Sequence, residues 1–384
     1  MADAAVSSSG AAPFALAVDG MGGDGAPETV VAGLAIAAKR HPNLRILLTG
    51  DENRLRPLLE THRAAASICT LRHAGSVITN EMKGTAALRL RDSSMRIAMG
   101  AVAAGEAQGV VSAGNSGALL ALAKIVIKTM PGIDRPALAA LGPSARGDVV
   151  MLDLGANVAC APRNLLEFAV MGEAFARVVL GLGAPTIGLL NVGSEEMKGD
   201  ERLRQAADML RASPLGGQFH GFIEGHDITA GTTDVVVTDG FTGNVALKTG
   251  EGAFRLAGGM LRQVFTSGLL ARLGYLLARS GLQRMRALLD PRRYNGAVLV
   301  GLNGVVVKSH GGADAEGFAH AVDVAMDMVT HRFNDRIRAG LSQLAASPEP
   351  GARAPASTAT EVSVPAAGEP AMPGAADVTL APTG

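Results

Sequence analysis

TDVVVTDGFTGNVALKTGEG, residues 233–252, is the stretch whose reading decides the fold. Three valines in a row end on Thr238 and Asp239; a turn with Gly240 and Gly243 follows, then Asn244, then a helical stretch carrying Lys248. A strand that is apolar on both faces belongs inside a parallel sheet covered by helices, because a half-exposed strand would alternate apolar with polar. The same order of events recurs along the chain. FALAVD (14–19), LRILLTG (44–50), QGVVSAG (108–114), DVVMLDLG (148–155) and APTIGLLNVG (184–193) are apolar runs that end in Gly-rich turns. Helical periodicity predicts helices over 27–39, 92–107, 116–129, 163–180, 200–212 and 314–340. AVLVGLNGVVVKSHG (297–311) reads as a hairpin turned by Asn303-Gly304, an antiparallel addition. The alternation predicts an α/β fold with a mostly parallel sheet between two helical layers.

The chain has 384 residues, 48% of them hydrophobic, enough for one large α/β domain. The assignment is a flexible N-terminus over 1–13, one domain over 14–345 and a disordered tail over 346–384. That tail is rich in Ala and Pro and too poor in apolar residues to fold. Net charge is zero and aromatics are 3% with no Trp, which argues against a nucleic-acid partner. Cys69 and Cys160 are far apart, as reduced thiols in a cytoplasmic protein would be. MADAAVSSSGAAP lacks a signal-peptide pattern, and no charge-free apolar run is long enough to span a bilayer. No metal-ligand spacing and no nucleophile elbow are present, so neither a metal nor a cofactor is expected.

In open parallel sheets ligands bind beyond the carboxyl ends of strands. Five such turns carry polar residues beside glycine. VDGMGGDGAPET (18–29) spells GxGxxG with Gly20, Gly22 and Gly25, the formal dinucleotide fingerprint. Asp24 would repel a pyrophosphate there and Pro27 removes a donor, so a structural or rim turn is expected instead. SAGNSGALLALA (112–123) sets Asn115, Ser116 and Gly117 at a helix start, which suits either an anion or a plain cap. DLGANVACAPRN (153–164) holds Asp153 and Asn157. NVGSEEMKGDE (191–201) places Lys198 in a glycine-flanked loop that could equally be a solvated surface. In the opening stretch Asp239 either serves a site with Asn244 and Lys248 or only caps the helix. His310, in KSHGGAD (308–314), stands at a strand-to-helix turn where a packing role is the commoner one.

LAVDGMGGDGAPE (16–28), ALRLRDSSMRIA (87–98), VSAGNSGALLA (111–121), DLGAN (153–157), GSEEMKGDE (193–201), TDGFTGNVALK (238–248) and VVVKSHG (305–311) together resemble the PlsX family of acyl-(acyl carrier protein):phosphate acyltransferases. The resemblance runs in order over roughly 14–340, with Gly25 standing where the family often has His. It implies attack of inorganic phosphate on the thioester of a long-chain acyl carrier protein. The acyl phosphate produced feeds a membrane glycerol-3-phosphate acyltransferase in phospholipid synthesis. It also implies a three-layer αβα sandwich of the isocitrate/isopropylmalate dehydrogenase-like kind, as a homodimer. Phosphate is itself the nucleophile, so the site must orient a dianion and stabilise an oxyanion. Lys198, Asp239 and Asn244 are then the catalytic candidates: Lys198 on phosphate or oxyanion, Asn244 donating a hydrogen bond, Asp239 orienting Lys198 or managing a proton. Asn115, Ser116, Gly117, Asp153, Asn157, Lys248 and His310 are candidates for holding substrate. All of these turns are expected to gather into a single cradle.

Residues 261–293 fall outside the alternation and hold seven Arg and one acid. Leu269, Leu270, Leu273, Leu276 and Leu277 recur at helical spacing, so a protruding basic amphipathic segment is expected to contact an anionic membrane, a second subunit or both. That would place a cytoplasmic protein at the inner face of the cell membrane. The alternatives are a phosphotransacetylase-like enzyme using acyl-coenzyme A, a dehydrogenase on a related fold, and a non-catalytic membrane scaffold.

Overall fold

In the computed structural model the described residues are 14–346, apart from Lys83 and Leu289. The expectations for 1–13 and for the tail from 347 onward lie outside them. Eleven strands form one sheet: β1 Phe14–Asp19, β2 Ile46–Gly50, β3 Cys69–His73, β4 Ala107–Ser112, β5 Ala137–Ser144, β6 Gly147–Leu152, β7 Ile187–Leu190, β8 Phe219–Ile223, β9 Val235–Val237, β10 Ala297–Val300 and β11 Val305–Lys308. Their order is β3-β2-β1-β4-β11-β10-β5-β6-β9-β7-β8.

Direction along that order is the fact that positions everything else. β3, β2, β1, β4 and β11 are mutually parallel. β10 opposes β11, β5 opposes β10 and β6 opposes β5. Three reversals leave β6, β9, β7 and β8, which are parallel to one another, pointing opposite to the first set. The carboxyl ends of the two half-sheets therefore lie on opposite edges.

Helices cover both faces, as alternate side chains demand. Leu16 and Val18 of β1 join one large core with Phe168, Phe318 and Phe333, under helices Glu28–Arg40, Pro162–Val179, Ala315–Thr330 and Phe333–Ala346. Ala17 of β1 faces the other way, into a core with Met95, Met99, Leu119 and Leu122 under helices Ser94–Ala103 and Ser116–Val126. Beside it, under the start of helix Gly240–Thr266, Leu154, Leu190, Ile223 and Val236 form a third cluster. Each fully buried Leu, Val or Phe contributes about 1.5–3 kcal/mol.

The expected elements are all present, with differences of up to six residues at their ends. One long helix expected over 314–340 is two, Ala315–Thr330 and Phe333–Ala346, because Arg332 takes a left-handed φ of 52° between them. The hairpin β10–β11 exists, and Asn303-Gly304 lies in its four-residue connection, 301–304. Its positive φ is at Gly301, and the Asn303 amide donates to the carbonyls of Ile127, Lys128 and Thr129. β3, β5 and β8 were not expected.

Residues Gly240–Thr266 and Leu269–Leu288 form two helices that pack against each other, with Phe265 edge-on to Tyr275 at 5.7 Å. Only Gly240 and Gly243 of the first are buried. Leu269 and Leu270 are 84% and 85% exposed, and Leu273, Leu276 and Leu277 are exposed as well. This is the protruding segment, uncovered within one chain. Among the described residues no helix is long and apolar enough to cross a membrane.

Candidate active site

The turns after β6, β9 and β7 are neighbours on one edge of the sheet. Asp153 is the hub of that edge. Fully buried, its Oδ1 accepts from the N–H groups of Leu138, Gly155 and Ala156, and its Oδ2 accepts from the Asn157 N–H and the Asn157 amide. Five donors at 2.7–3.1 Å converge on this buried carboxyl group, so Asp153 builds the turn and has no capacity left for a ligand. Asn157 is spent likewise, its amide also reaching the Pro136 carbonyl at 2.8 Å.

Helix Gly240–Thr266 starts against this hub. The Gly240 N–H donates to the Asn157 carbonyl at 2.7 Å, and the Asp239 carboxylate caps the helix by accepting from the Thr242 N–H at 2.7 Å. Gly243 packs so closely that a Cβ there would stand 1.9 Å from the Asp153 carbonyl oxygen. That contact presents Asn244 over Gly155: a Cβ on Gly155 would be 3.7 Å from the Asn244 Cβ. Asn244 is exposed, and its side chain has no hydrogen bond among the described residues. It is the free donor of the edge.

Lys198 arrives from the turn after β7. Its carbonyl accepts from the Asn191 amide at 3.1 Å, which fixes the backbone, while its ammonium reaches only Glu195, at 3.5 Å. The expected pairing of Asp239 with Lys198 is not made. Asp239 caps the helix instead. Cys160 lies under the same edge. Burial, helped by the charges of Asp153 and Asp239, pushes its thiol up to about 11, so it is no nucleophile. Around these polar groups stand bare apolar side chains from three turns: Val158, Val192 (79% exposed), Met197 (85%) and Phe241 (62%).

The other expected residues are on the opposite edge. Asn115 caps helix Ser116–Val126 through its Oδ1, at 3.0 Å from the Ala118 N–H, and its amide clamps the carbonyls of Thr79, Asn80 and Met82. Ser116 and Gly117 are exposed at that helix start. His310 is exposed, with Nδ1 accepting from the Gly312 N–H at 3.1 Å. The single cradle is thus two groups: Asp153, Asn157, Lys198, Asp239 and Asn244 on one edge, Asn115, Ser116, Gly117 and His310 on the other. Lys248 sits two turns into the helix that runs from the first edge toward the second.

Sequence reading missed the centre of the second edge. Asp19, the last residue of β1, is fully buried, accepting from the Ser94 hydroxyl at 2.6 Å and the Ser112 hydroxyl at 2.7 Å. Burial raises its pKa against those two hydrogen bonds. It braces the GxGxxG turn, where the space beside Gly22, Gly23 and Gly25 holds about 10 Å³, room for one water and none for a nucleotide. Lys308, last residue of β11, was likewise passed over. Among the described residues no cluster of His, Cys, Asp and Glu is placed to hold a metal.

Comparison with known proteins adds the following. Residues 14–336 match the family model described as fatty acid synthesis protein. A phosphate acyltransferase of Gluconacetobacter diazotrophicus is 76% identical over 344 residues, 90% of this chain and 92% of that protein. One of Granulibacter bethesdensis is 72% identical, covering 86% of this chain and 90% of its own length. Among solved structures, a phosphotransacetylase from Streptococcus pyogenes superimposes with a TM-score of 0.57 at 19% identity, over 83% of this chain and 94% of that one. That likeness speaks to the fold. With motif order, family match and near relatives in agreement, the chain belongs to the PlsX family of phosphate acyltransferases.

Proposed function

We propose that this acyltransferase moves a long-chain fatty acyl group from acyl carrier protein to inorganic phosphate, at the edge formed by the turns after β6, β9 and β7. The observation that carries the reading is the company Lys198 and Asn244 keep. One unspent amide and one exposed ammonium stand among apolar side chains, with no reactive thiol or serine beside them. An oily thioester suits Val192, Met197 and Phe241, and an oxyanion suits the two donors. A phosphate oxygen attacks the thioester carbonyl carbon; as the tetrahedral oxyanion collapses, the C–S bond breaks and the thiol leaves with a proton. Asp239 acts by holding the helix start that carries Asn244. The three reversals of strand direction, which leave the two half-sheets opposed, favour the isocitrate/isopropylmalate dehydrogenase-like class for the fold.

Acyl carrier protein rather than coenzyme A is the donor in this reading. Incubated with phosphate, palmitoyl-carrier protein should give acyl phosphate, trapped as hydroxamate, far faster than palmitoyl-coenzyme A. Equal rates with both donors would move the protein to the phosphotransacetylase type.

The helical arm Gly240–Leu288 completes the proposal. Its bare leucines and surrounding arginines fit a homodimer contact and the surface of an anionic membrane at the inner face of the cell membrane, where the glycerol-3-phosphate acyltransferase would receive the product. The protein should float with vesicles containing anionic lipid at low salt and be released at about 0.5 M salt, where the screening length is a few ångströms. Failure to float at low salt would remove the membrane from this role.

A further inference from the structure

Lys308 ends β11, and its side chain leaves the sheet on the same face as Val306, the face that carries helix Gly240–Thr266. Its register neighbours are Ser112 on β4 and Ala297 on β10. Neither serves it, since the Ser112 hydroxyl is given to Asp19 and Ala297 is apolar. The acceptor nearest the half-buried ammonium is the Ser309 carbonyl at 3.5 Å, and among the described residues no carboxylate pairs with it.

The helix on that face brings another cation: Ala246 and Leu247 pack in one cluster with Ala297, the register partner of Lys308, and Lys248 is the next residue. Burial and then the charge of Lys248 hold the Lys308 ammonium below the usual lysine range, with Glu251 opposing them weakly. Lys248 is anchored by that same Glu251, at 2.9 and 3.1 Å. Glu251 is thus taken by Lys248, and Lys308, half-buried on the face below, has no carboxylate of its own among the described residues. Like charges so placed repel unless an anion lies between them. Lys248 follows Asn244 by four residues, so the pair stands one helical turn, about 6 Å of rise, from the free amide.

Building on the acyl transfer proposed above, we infer that Lys308 and Lys248 form an anion subsite that holds a phosphate group of the substrates. Two separate ammonium groups suit a tetrahedral oxyanion as point charges, where a carboxylate would call for an arginine fork. The phosphate has two sources, inorganic phosphate itself or the phosphodiester of the carrier's phosphopantetheine arm.

Steady-state kinetics of the full chain separate them. Lys308→Ala should raise at least one KM ten-fold or more while kcat stays within about threefold, and Lys308→Arg should recover most of the loss. A rise confined to inorganic phosphate assigns that source. A rise confined to the acyl carrier, and absent with a phosphate-free N-acetylcysteamine thioester, assigns the phosphodiester. Lys248→Ala, at an exposed position that leaves folding intact, should raise the same KM. Both KM values within twofold of wild type in Lys308→Ala and Lys248→Ala would overturn the inference, as would an Arg variant no better than Ala. Equilibrium titration with inorganic phosphate and with 4′-phosphopantetheine reads the subsite without turnover. A wild-type protein that makes no acyl phosphate but binds one of these through Lys308 would sink the proposed function and leave the subsite standing.

Discussion

Lys198→Ala is expected to lower kcat for acyl phosphate formation by about 100-fold or more and to leave the melting temperature within a degree or two of wild type. The size of the kinetic effect is that of losing one preorganised donor to a developing oxyanion. The small stability effect follows from what the side chain does in the fold. More than half exposed, it touches only Glu195, an exposed ion pair of the kind that contributes a few tenths of a kcal/mol. The backbone is held by Asn191, whose amide bonds the Lys198 carbonyl and is indifferent to the side chain. Activity within threefold of wild type would remove Lys198 from the chemistry, whereas a large fall in melting temperature would show that it was structural.

The second large effect is expected at Gly243, and it is structural. An alanine methyl there would meet the Asp153 carbonyl oxygen at 1.9 Å and the Thr238 methyl at 2.9 Å. Either the helix start or the Asp153 backbone must move, and Asp153 cannot move without loosening five hydrogen bonds. Gly243→Ala should cost about 3 kcal/mol or more and abolish activity by tilting Asn244 off Gly155. Gly258→Ala, in open space on the same helix, should stabilise by up to about 1 kcal/mol. Calorimetry on the two variants gives opposite signs if the contact matters, and a Gly243→Ala protein as stable as wild type would refute it.

The strands legible in the sequence are those buried on both faces, since an unbroken apolar run has few other readings. β3, CTLRH, escaped because it is an edge strand whose residues are only half-buried. β5, ALAALGPS, hides behind Gly142 and Pro143, which read as loop, and β8, FHGFI, is interrupted by Gly221. At the site, the polar turns stood out, because Gly beside Asn, Asp or Lys after a strand is a local pattern. Which edge each turn occupies is not local. It depends on the directions of β10 and β5, and hydrophobic periodicity carries no sign of direction. Asp19 was invisible for a related reason: its two hydroxyl partners come from 75 and 93 residues away. Asn115 and Asp153 stand out in the sequence as candidates for holding substrate, but their side chains are consumed by the turns they make.

The opposed half-sheets carry a consequence for how substitutions combine. Groups on the two edges are separated by about a strand length, 17–20 Å, and share no partners, so free-energy changes at Asp19 and Asp153 should simply sum in the double variant. Helix Gly240–Thr266 is the exception, reaching from the Asp153 hub to the neighbourhood of Lys308. Coupling between the edges in a thermodynamic cycle should therefore surface in pairs that include Asn244 or Lys248, and the helix is the mechanical link through which one end of the molecule can sense the other.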